Sequence, residues 1–277
     1  MTETDYADWI GRTRTTTDTL SPRLLAQFHA TLHGTLADME VPPGAQWALW
    51  PDVEPPDRLG RDGHPRPGIV VPKLPLPRRM WAGGAVDTHA PLSAGAEVTH
   101  AATVRDIAFK DGRTGPLGFV TVDHTYSVGD TVCITERQDL VYREDPKPGA
   151  PAPAPKPGSN WAPRAAWQVT PSSTLLFRYS AITYNGHRIH YDLPYAQQVE
   201  GYDNLVVHGP MQAIWMQNLA TTVLGQVPDR FTYRGLAPLT LGPAVSVEAQ
   251  DGAEGLDLRV RRTSDGVVTM QGTATQG

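Results

Sequence analysis

The chain has 277 residues, which is enough for one large domain or two of ordinary size. Hydrophobic residues make up 40% of the sequence and charged residues 19%, the profile of a soluble globular protein with a sizeable core. The net charge of −5 argues against nucleic acid as the main partner, because binding to phosphates relies on clustered lysine and arginine.

The start of the chain and its cysteine content indicate compartment and chemistry. The first ten residues are acidic and lack the regions of a signal peptide, and no stretch approaches the ~18–20 apolar residues of a membrane span. We therefore expect a cytoplasmic protein. A single cysteine excludes an internal disulfide and a cysteine-based metal cluster, and Cys133, in an apolar strand-like run, is expected to be a small buried hydrophobe.

The first predicted helix runs from Ser21 to Met39. Its Ser-Pro start is typical of a helix N-terminus, because serine caps free N–H groups and proline presets the first turn. Apolar residues follow at helical spacing, at Leu24, Leu25, Phe28, Leu32 and Leu36.

A segment rich in Pro, Ala and Gly divides the chain. Residues 145–159 read DPKPGAPAPAPKPGS, a composition that favours extended polyproline II over helix or sheet. We predict an N-terminal domain of residues 1–145, a linker of residues 146–160 and a C-terminal domain of residues 161–277.

The two halves share a local pattern that suggests duplication. Each contains a Pro-Leu-x-x-Gly motif, then a run typical of β-strands, then an Asp-Gly turn signal. The matched positions are 91–95 with 238–242, 98–107 with 245–260, and 111–112 with 265–266. In the second half, residues 209–224 form a helical run with almost no charge, which should be surrounded on every side. These patterns predict an α+β fold.

The strongest functional pattern lies in residues 179–192, YSAITYNGHRIHYD, and continues in residues 206–210, VVHGP. It places a histidine, an amide side chain and a glycine-led helix start close together in sequence. Such groups can move a proton beside a carbonyl and stabilise the resulting oxyanion.

Residues 179–210 resemble the signature of MaoC-like enoyl-thioester hydratases, in which an Asp and a His five positions later bracket the catalytic water. Asn185 stands at the position of that Asp, His187 where the wider family tends to have Asn, and Arg188 where it has Pro. The form NGHRIHYD instead resembles the branch of two-hotdog hydratases for mesaconyl- and itaconyl-type CoA esters and of mitochondrial hydroxyacyl-thioester dehydratases. The resemblance implies two tandem hotdog domains, each a curved antiparallel sheet around a central helix.

The resemblance implies catalytic roles for three residues. His190 aligns with the catalytic histidine and is the expected general acid/base, since its ordinary pKa of ~6.5 lets it exchange protons near neutrality. Asn185 cannot act as a base, so it either orients the water or substrate hydroxyl or is an Asx-turn residue before Gly186. Gly209 is the expected oxyanion donor, because a helix N-terminus has free N–H groups, glycine permits close approach and Pro210 has no N–H.

Further residues of the motif are expected to contact the substrate. Arg178, Arg188 and His187 flank the reactive positions and suit a carboxylate or a CoA phosphate, although Arg188 also suits a role in bracing the loop. Tyr184 and His208 are expected to line the pocket.

Two features of the motif are interpreted as structural. Asp192 is predicted to cap a helix rather than to replace the missing acid. His187 and His190 have a spacing found in some metal sites, but no third ligand with a recognisable pattern follows. We expect neither a metal nor a cofactor.

The first half contains no matching histidine motif. Its residues 78–84, RRMWAGG, resemble a stretch of the first hotdog in two-hotdog hydratases, where this degenerate half widens the acyl pocket. Trp81 is therefore expected to contact the substrate, and Trp47 and Trp50 either line the same pocket or lie in the core.

The sequence thus predicts a hydro-lyase that adds water to an unsaturated acyl-CoA such as mesaconyl-CoA, or eliminates it. A 3-hydroxyacyl-thioester dehydratase acting on a carrier-protein-bound chain is one alternative, and a non-catalytic acyl-thioester binding protein is another. A hotdog thioesterase is disfavoured because it usually needs a carboxylate on the central helix, and residues 209–224 contain neither Asp nor Glu. The acyl chain, the direction and the choice between monomer and homodimer stay open.

Overall fold

The computed structural model describes residues 3–68, 71–112, 115–145, 155 and 157–277. Most of the predicted linker, residues 146–154 and 156, lies outside these residues. The first half contributes the strands β1 (Thr13–Thr19), β2 (Arg78–Thr88), β3 (Glu97–Gly112), β4 (Gly115–Val128) and β5 (Thr131–Arg143). The second half contributes β6 (Ala165–Val169), β7 (Arg230–Gly235), β8 (Val245–Asp251), β9 (Leu256–Arg262) and β10 (Val268–Thr275).

The ten strands form one antiparallel sheet in the order β1-β3-β4-β5-β2-β7-β10-β9-β8-β6. The second half repeats the order of the first in reverse, so that β2 and β7 join the halves at the centre. This symmetry is what a duplicated α+β unit produces. Cys133 lies in β5 and is buried, as expected.

One of the sequence matches between the halves was wrong. The predicted run 245–260 is two strands, because the chain reverses between Gly252 and Gly255, whose φ is +150°. The turn after β3 therefore corresponds to this reversal rather than to Asp265 and Gly266, which join β9 to β10. A turn signal alone did not show which hairpin it closes.

The first helix, α1 (Pro22–Thr31), is shorter than the predicted span to residue 39. Ser21 caps it as expected, because its side chain accepts a hydrogen bond from the N–H of Leu24 at 3.2 Å. Leu32 is the C-cap of this helix, and Gly34 then takes a φ of +80°, which an L side chain adopts only with strain.

A second helix, α2 (Ser173–Thr183), was not predicted. It follows β6 as α1 follows β1, it is also capped by a serine, Ser172, and it packs against α1. The helix ends at Tyr184, which has a φ of 50°, and its last turns contain residues 179–183 of the motif described above. A short helix, α3 (Leu193–Gln198), comes next, and Asp192 caps it as predicted by accepting from the N–H of Tyr195 at 3.1 Å.

The central helix of the second half, α4 (Gly209–Leu224), is buried from Met211 to Thr221 and contacts β6 to β10. Its fully buried Asn218 binds the first half, because Nδ2 donates to the carbonyl of Pro43 at 2.9 Å and Oδ1 accepts from the N–H of Ala37 at 3.1 Å. The expectation that this uncharged helix is surrounded is confirmed. No helix in the described parts of the chain is long and apolar enough to cross a membrane.

The first half lacks a counterpart of α4 in residues 3–68. At the equivalent point of the chain it has only a 3-10 turn, Ala45–Ala48. Residues of all five strands of the first half line a cavity.

Candidate active site

A cavity of about 1070 Å³ extends between the two halves. Its walls include Asn185, His190 and Gly209 from the second half, and His64 and Trp81 from the first. The three residues predicted to be catalytic thus face the same space.

His190 lies in a 3-10 turn, Arg188–His190, and is 6% exposed. Its Nδ1 lies 2.7 Å from the carbonyl oxygen of Val206, so Nδ1 carries the proton and Nε2 has a free lone pair. Burial, together with the neighbouring His208 and His187, holds the pKa of His190 well below its ordinary value. The ring is therefore neutral at pH 7 and suited to accept a proton.

His208 is not a pocket-wall residue, which corrects the prediction. It is fully buried and does not line the cavity, and its ring stacks on that of His190 with centroids 3.5 Å apart. Its Nε2 lies 2.9 Å from the hydroxyl of Ser180, and burial lowers its pKa to about 3. A neutral His208 supports the His190 ring from behind.

Asn185 forms the Asx turn that was one of the two roles left open by the sequence. Its Oδ1 accepts the N–H of His187 at 3.0 Å, which is an Asx turn, while the residue also lines the cavity. The amide nitrogen has no hydrogen-bond partner within the described chain, so it is available to a water or a substrate hydroxyl.

Gly209 is the first residue of α4 and lines the cavity. A Cβ added there would meet only Met270 Cε at 4.0 Å, so tight packing does not explain the glycine. Open space beside a helix N-terminus is what a close approach by a carbonyl oxygen requires.

The two arginines of the motif lie outside the cavity, which corrects their prediction as substrate-binding residues. Arg188 binds Asp192 through Nε and Nη2 at 3.0 and 2.7 Å, donates to the carbonyl of Arg61 and covers the ring of Tyr195. It braces the loop, because these contacts use its whole guanidinium group. Arg178 is an exposed residue of α2 that does not line the cavity.

The remaining predicted contact residues do reach the cavity. His187 is 8% exposed, and its Nε2 lies 3.9 Å from Glu200 Oε1. Tyr184 is 60% exposed and lines the rim. Trp81 and Trp47 form an edge-to-face pair in the wall, and Trp50 also lines it.

Sequence reasoning missed the contribution of residues 61–64 in the first half. Asp62 Oδ2 lies 3.0 Å from His64 Nδ1, and the His64 ring is 4.3 Å from that of His187. The Asp-Gly-His triplet is visible in the sequence, but nothing local showed that it meets the motif more than 120 residues later.

Asp62, His64 and His187 are also a group that could hold a metal ion, with the three ligand atoms within 4.8 Å of one another. The direct contact between Asp62 and His64 explains this pair without an ion. The expectation that the protein needs no metal stays a prediction.

Gly63 lets this loop approach the motif, and its replacement tests the contact. Its φ is +88°, and a Cβ would lie 2.1 Å from the carbonyl oxygen of Gly186. We expect Gly63→Ala to lower kcat at least about 10-fold, because misplacing site groups is costly. Gly11→Ala is a matched control, since its φ is +84° with no atom within 4 Å of the added Cβ. Equal activity of the two variants would contradict the role given to the loop.

Known proteins that resemble this chain indicate its family and its fold. The hydroxyacyl-thioester dehydratase type 2 family matches residues 44–241. Mesaconyl-C(4)-CoA hydratase of Chloroflexus aurantiacus is 38% identical over 283 aligned positions that cover all of both chains. The mitochondrial hydroxyacyl-thioester dehydratase type 2 of Schizosaccharomyces pombe is 27% identical and covers 80% of this chain and 84% of its own. A double-hotdog protein of Mycobacterium tuberculosis superimposes with a TM-score of 0.58 at 17% identity, covering 100% of this chain and 98% of that one.

The predicted double hotdog fold is confirmed, except that within the described residues only the second half has the expected central helix. Fold and site together define a hydro-lyase that acts on an acyl thioester. The chain belongs to the hydroxyacyl-thioester dehydratase type 2 family.

Proposed function

We propose that the enzyme adds water to an α,β-unsaturated acyl-CoA whose acyl group carries a second carboxylate, as in a mesaconyl ester. The observation that carries this proposal is an arginine in the cavity without an acidic partner, Arg79. The full-length similarity to a mesaconyl-C(4)-CoA hydratase supports it.

The charges of the cavity wall favour an anionic acyl group. Each of its three acidic residues is paired with an arginine: Asp52 with Arg14 at 2.6 Å, Glu54 with Arg58 at 2.9 Å and Glu200 with Arg78 at 2.8 Å. Arg79, by contrast, lines the cavity and forms no ion pair with any described residue.

Arg79 also lies close to the reactive end of the cavity. Burial lowers the pKa of His64 to about 4, and the charge of Arg79 is the next largest cause. A guanidinium group there suits the two oxygens of a carboxylate.

The reaction follows from the neutral state of His190. Its Nε2 accepts a proton from water as the water oxygen bonds to Cβ, and the π electrons move towards the thioester oxygen. The N–H of Gly209 donates to that oxygen, and His190 returns the proton to Cα. Asn185 donates its amide N–H to the attacking water.

Replacing Arg79 tests the acyl specificity. We expect Arg79→Met to lower kcat/KM for mesaconyl-C(4)-CoA by about 10- to 100-fold, because a hydrogen bond to a charged group contributes about 1.5–3 kcal/mol. Crotonyl-CoA has no second carboxylate and should be hydrated at the wild-type rate. Arg105→Met, which removes an exposed arginine paired with Asp123, is the control. Equal losses on both substrates would contradict the assignment.

The pH profile tests the protonation state of His190. Because its pKa is held well below the ordinary value, the basic form is present throughout the neutral range. We expect kcat/KM to stay constant from pH 8 to about pH 6.5 and to fall only in more acidic solution. A decline centred near pH 6.5 would show an ordinary, solvated histidine instead.

A second candidate is dehydration of a longer hydroxyacyl chain on a carrier protein. The size of the cavity favours it, since about 1070 Å³ exceeds what a four-carbon acyl group needs. Turnover of long-chain 3-hydroxyacyl carrier-protein esters in preference to mesaconyl-C(4)-CoA would support this candidate.

The cytoplasmic location of the protein and its assembly into a homodimer stay predictions.

A further inference from the structure

The loop of residues 61–64 is attached to the catalytic motif by hydrogen bonds that its backbone carbonyls accept. The carbonyl of Asp62 accepts the N–H of Arg188 at 2.8 Å, and the carbonyl of Arg61 accepts Nη1 of Arg188 at 3.0 Å. Gly63 lies against Gly186. The first half therefore does more than widen the cavity, because it brings a third histidine, beside His187 and His190, to a fixed place in the site.

His64 is held in one tautomer by Asp62. Burial raises the pKa of Asp62, but the hydrogen bond from His64 outweighs burial and holds this pKa below its ordinary value, so the carboxylate is ionised. The neutral His64 then donates its Nδ1 proton to Asp62 over 3.0 Å. Its Nε2 is left with a lone pair, on a residue that lines the cavity.

The site has a position for such an acceptor. Asn185 stands where an acid would help His190 bracket the water, and an amide nitrogen only donates. His64 and His190 both lie beside His187, with ring centroids 4.3 and 5.4 Å from it. His64 is also close enough to affect the pKa of His190.

We propose that His64, positioned by Asp62, is a catalytic residue that holds the attacking water by accepting its second O–H. This inference rests on the proposed hydration reaction. One O–H of the water is donated to His190 Nε2 and breaks as the oxygen bonds to Cβ, while the other is donated to His64 Nε2 and stays intact as the product hydroxyl. No proton is transferred to His64, and the returning proton reaches Cα from His190.

Variants of His64 test the proposal. We expect His64→Phe, which keeps an aromatic ring but has no acceptor, to lower kcat for hydration about 100-fold. KM for the substrate and the affinity for butyryl-CoA, a saturated ester that cannot add water, should stay unchanged. His64→Gln restores an acceptor oxygen and should recover part of the loss. Asp62→Ala should lower kcat about 10-fold, because Asp62 no longer holds the His64 ring in place. Asp62→Asn should lower kcat less, because an amide oxygen still accepts the His64 Nδ1–H.

The matched control is His89→Phe, since His89 is exposed and bonds to Thr135 away from the cavity. Wild-type kcat in His64→Phe would overturn the proposal. A parallel loss of kcat, butyryl-CoA affinity and Tm would show a purely structural role and overturn it too. Activity that a chelator abolishes and Zn²⁺ restores would make His64 a metal ligand instead. If the wild type hydrates none of the esters, the proposed function fails before this inference is tested.

Discussion

His190→Ala should lower kcat for hydration by about 10²–10⁴-fold while the protein keeps its fold and its affinity for the CoA ester. We propose this side chain as the neutral base of the site, because its Nδ1 is bound to the carbonyl of Val206 and the residue lines the cavity. Steady-state kinetics on mesaconyl-C(4)-CoA, with far-UV circular dichroism and Tm as fold checks, measures this effect.

His89→Ala provides the comparison for this experiment, because it also removes an imidazole but lies outside the cavity. This variant should hydrate the ester at the wild-type rate. Activity of His190→Ala within a few-fold of the wild type would exclude His190 as the general base.

Glu200→Ala should lower the free energy of unfolding by about 3–5 kcal/mol, because it leaves a buried arginine without its partner. Glu200 and Arg78 are each 6% exposed, and their atoms Oε2 and Nε are 2.8 Å apart. The pair joins the segment that follows α3 to β2 and so links the two halves of the protein. Urea denaturation measures the effect.

Asp123→Ala is the control for this variant, since Asp123 and its partner Arg105 are exposed and such a pair contributes about 0–1 kcal/mol. Equal destabilisation by the two replacements would contradict the importance of the buried pair.

The stabilisation by Glu200 should also depend on pH. Burial raises its pKa, but contact with His187 and the charge of Arg78 outweigh burial and hold the pKa below the ordinary value. The contribution is therefore present above the unfolded pKa of ~4.3 and is lost as the pH falls through the lower folded pKa. In Glu200→Ala this part of the acid sensitivity should disappear.

The fold was predictable where patterns are local or a motif is specific. The uncharged run of residues 209–224 identified the central helix, and the serine before residue 22 identified the start of α1. The end of α1 at Thr31 and the pairing of the turns were not predictable, because the apolar spacing continued past Gly34 and turn signals do not specify hairpins.

The site shows the same division. His190, Asn185 and Gly209 lie close together in sequence, and the structure brings them to one cavity. Arg188 and His208 belong to the same motif, yet they brace and support the loop from outside the cavity, which only side-chain directions in three dimensions reveal. Asp62 and His64 depend on contacts between the two halves, which no local pattern encodes.

The most direct test of the account is incubation of the wild-type enzyme with mesaconyl-C(4)-CoA in water labelled with heavy oxygen, followed by mass spectrometry of the intact ester. The account predicts an ester that has gained one labelled water, with the label in a hydroxyl at Cβ. Release of free CoA with the label in a carboxylic acid would show thioester hydrolysis and contradict it, and an unchanged ester across mesaconyl, itaconyl, crotonyl and longer enoyl substrates would contradict it as well.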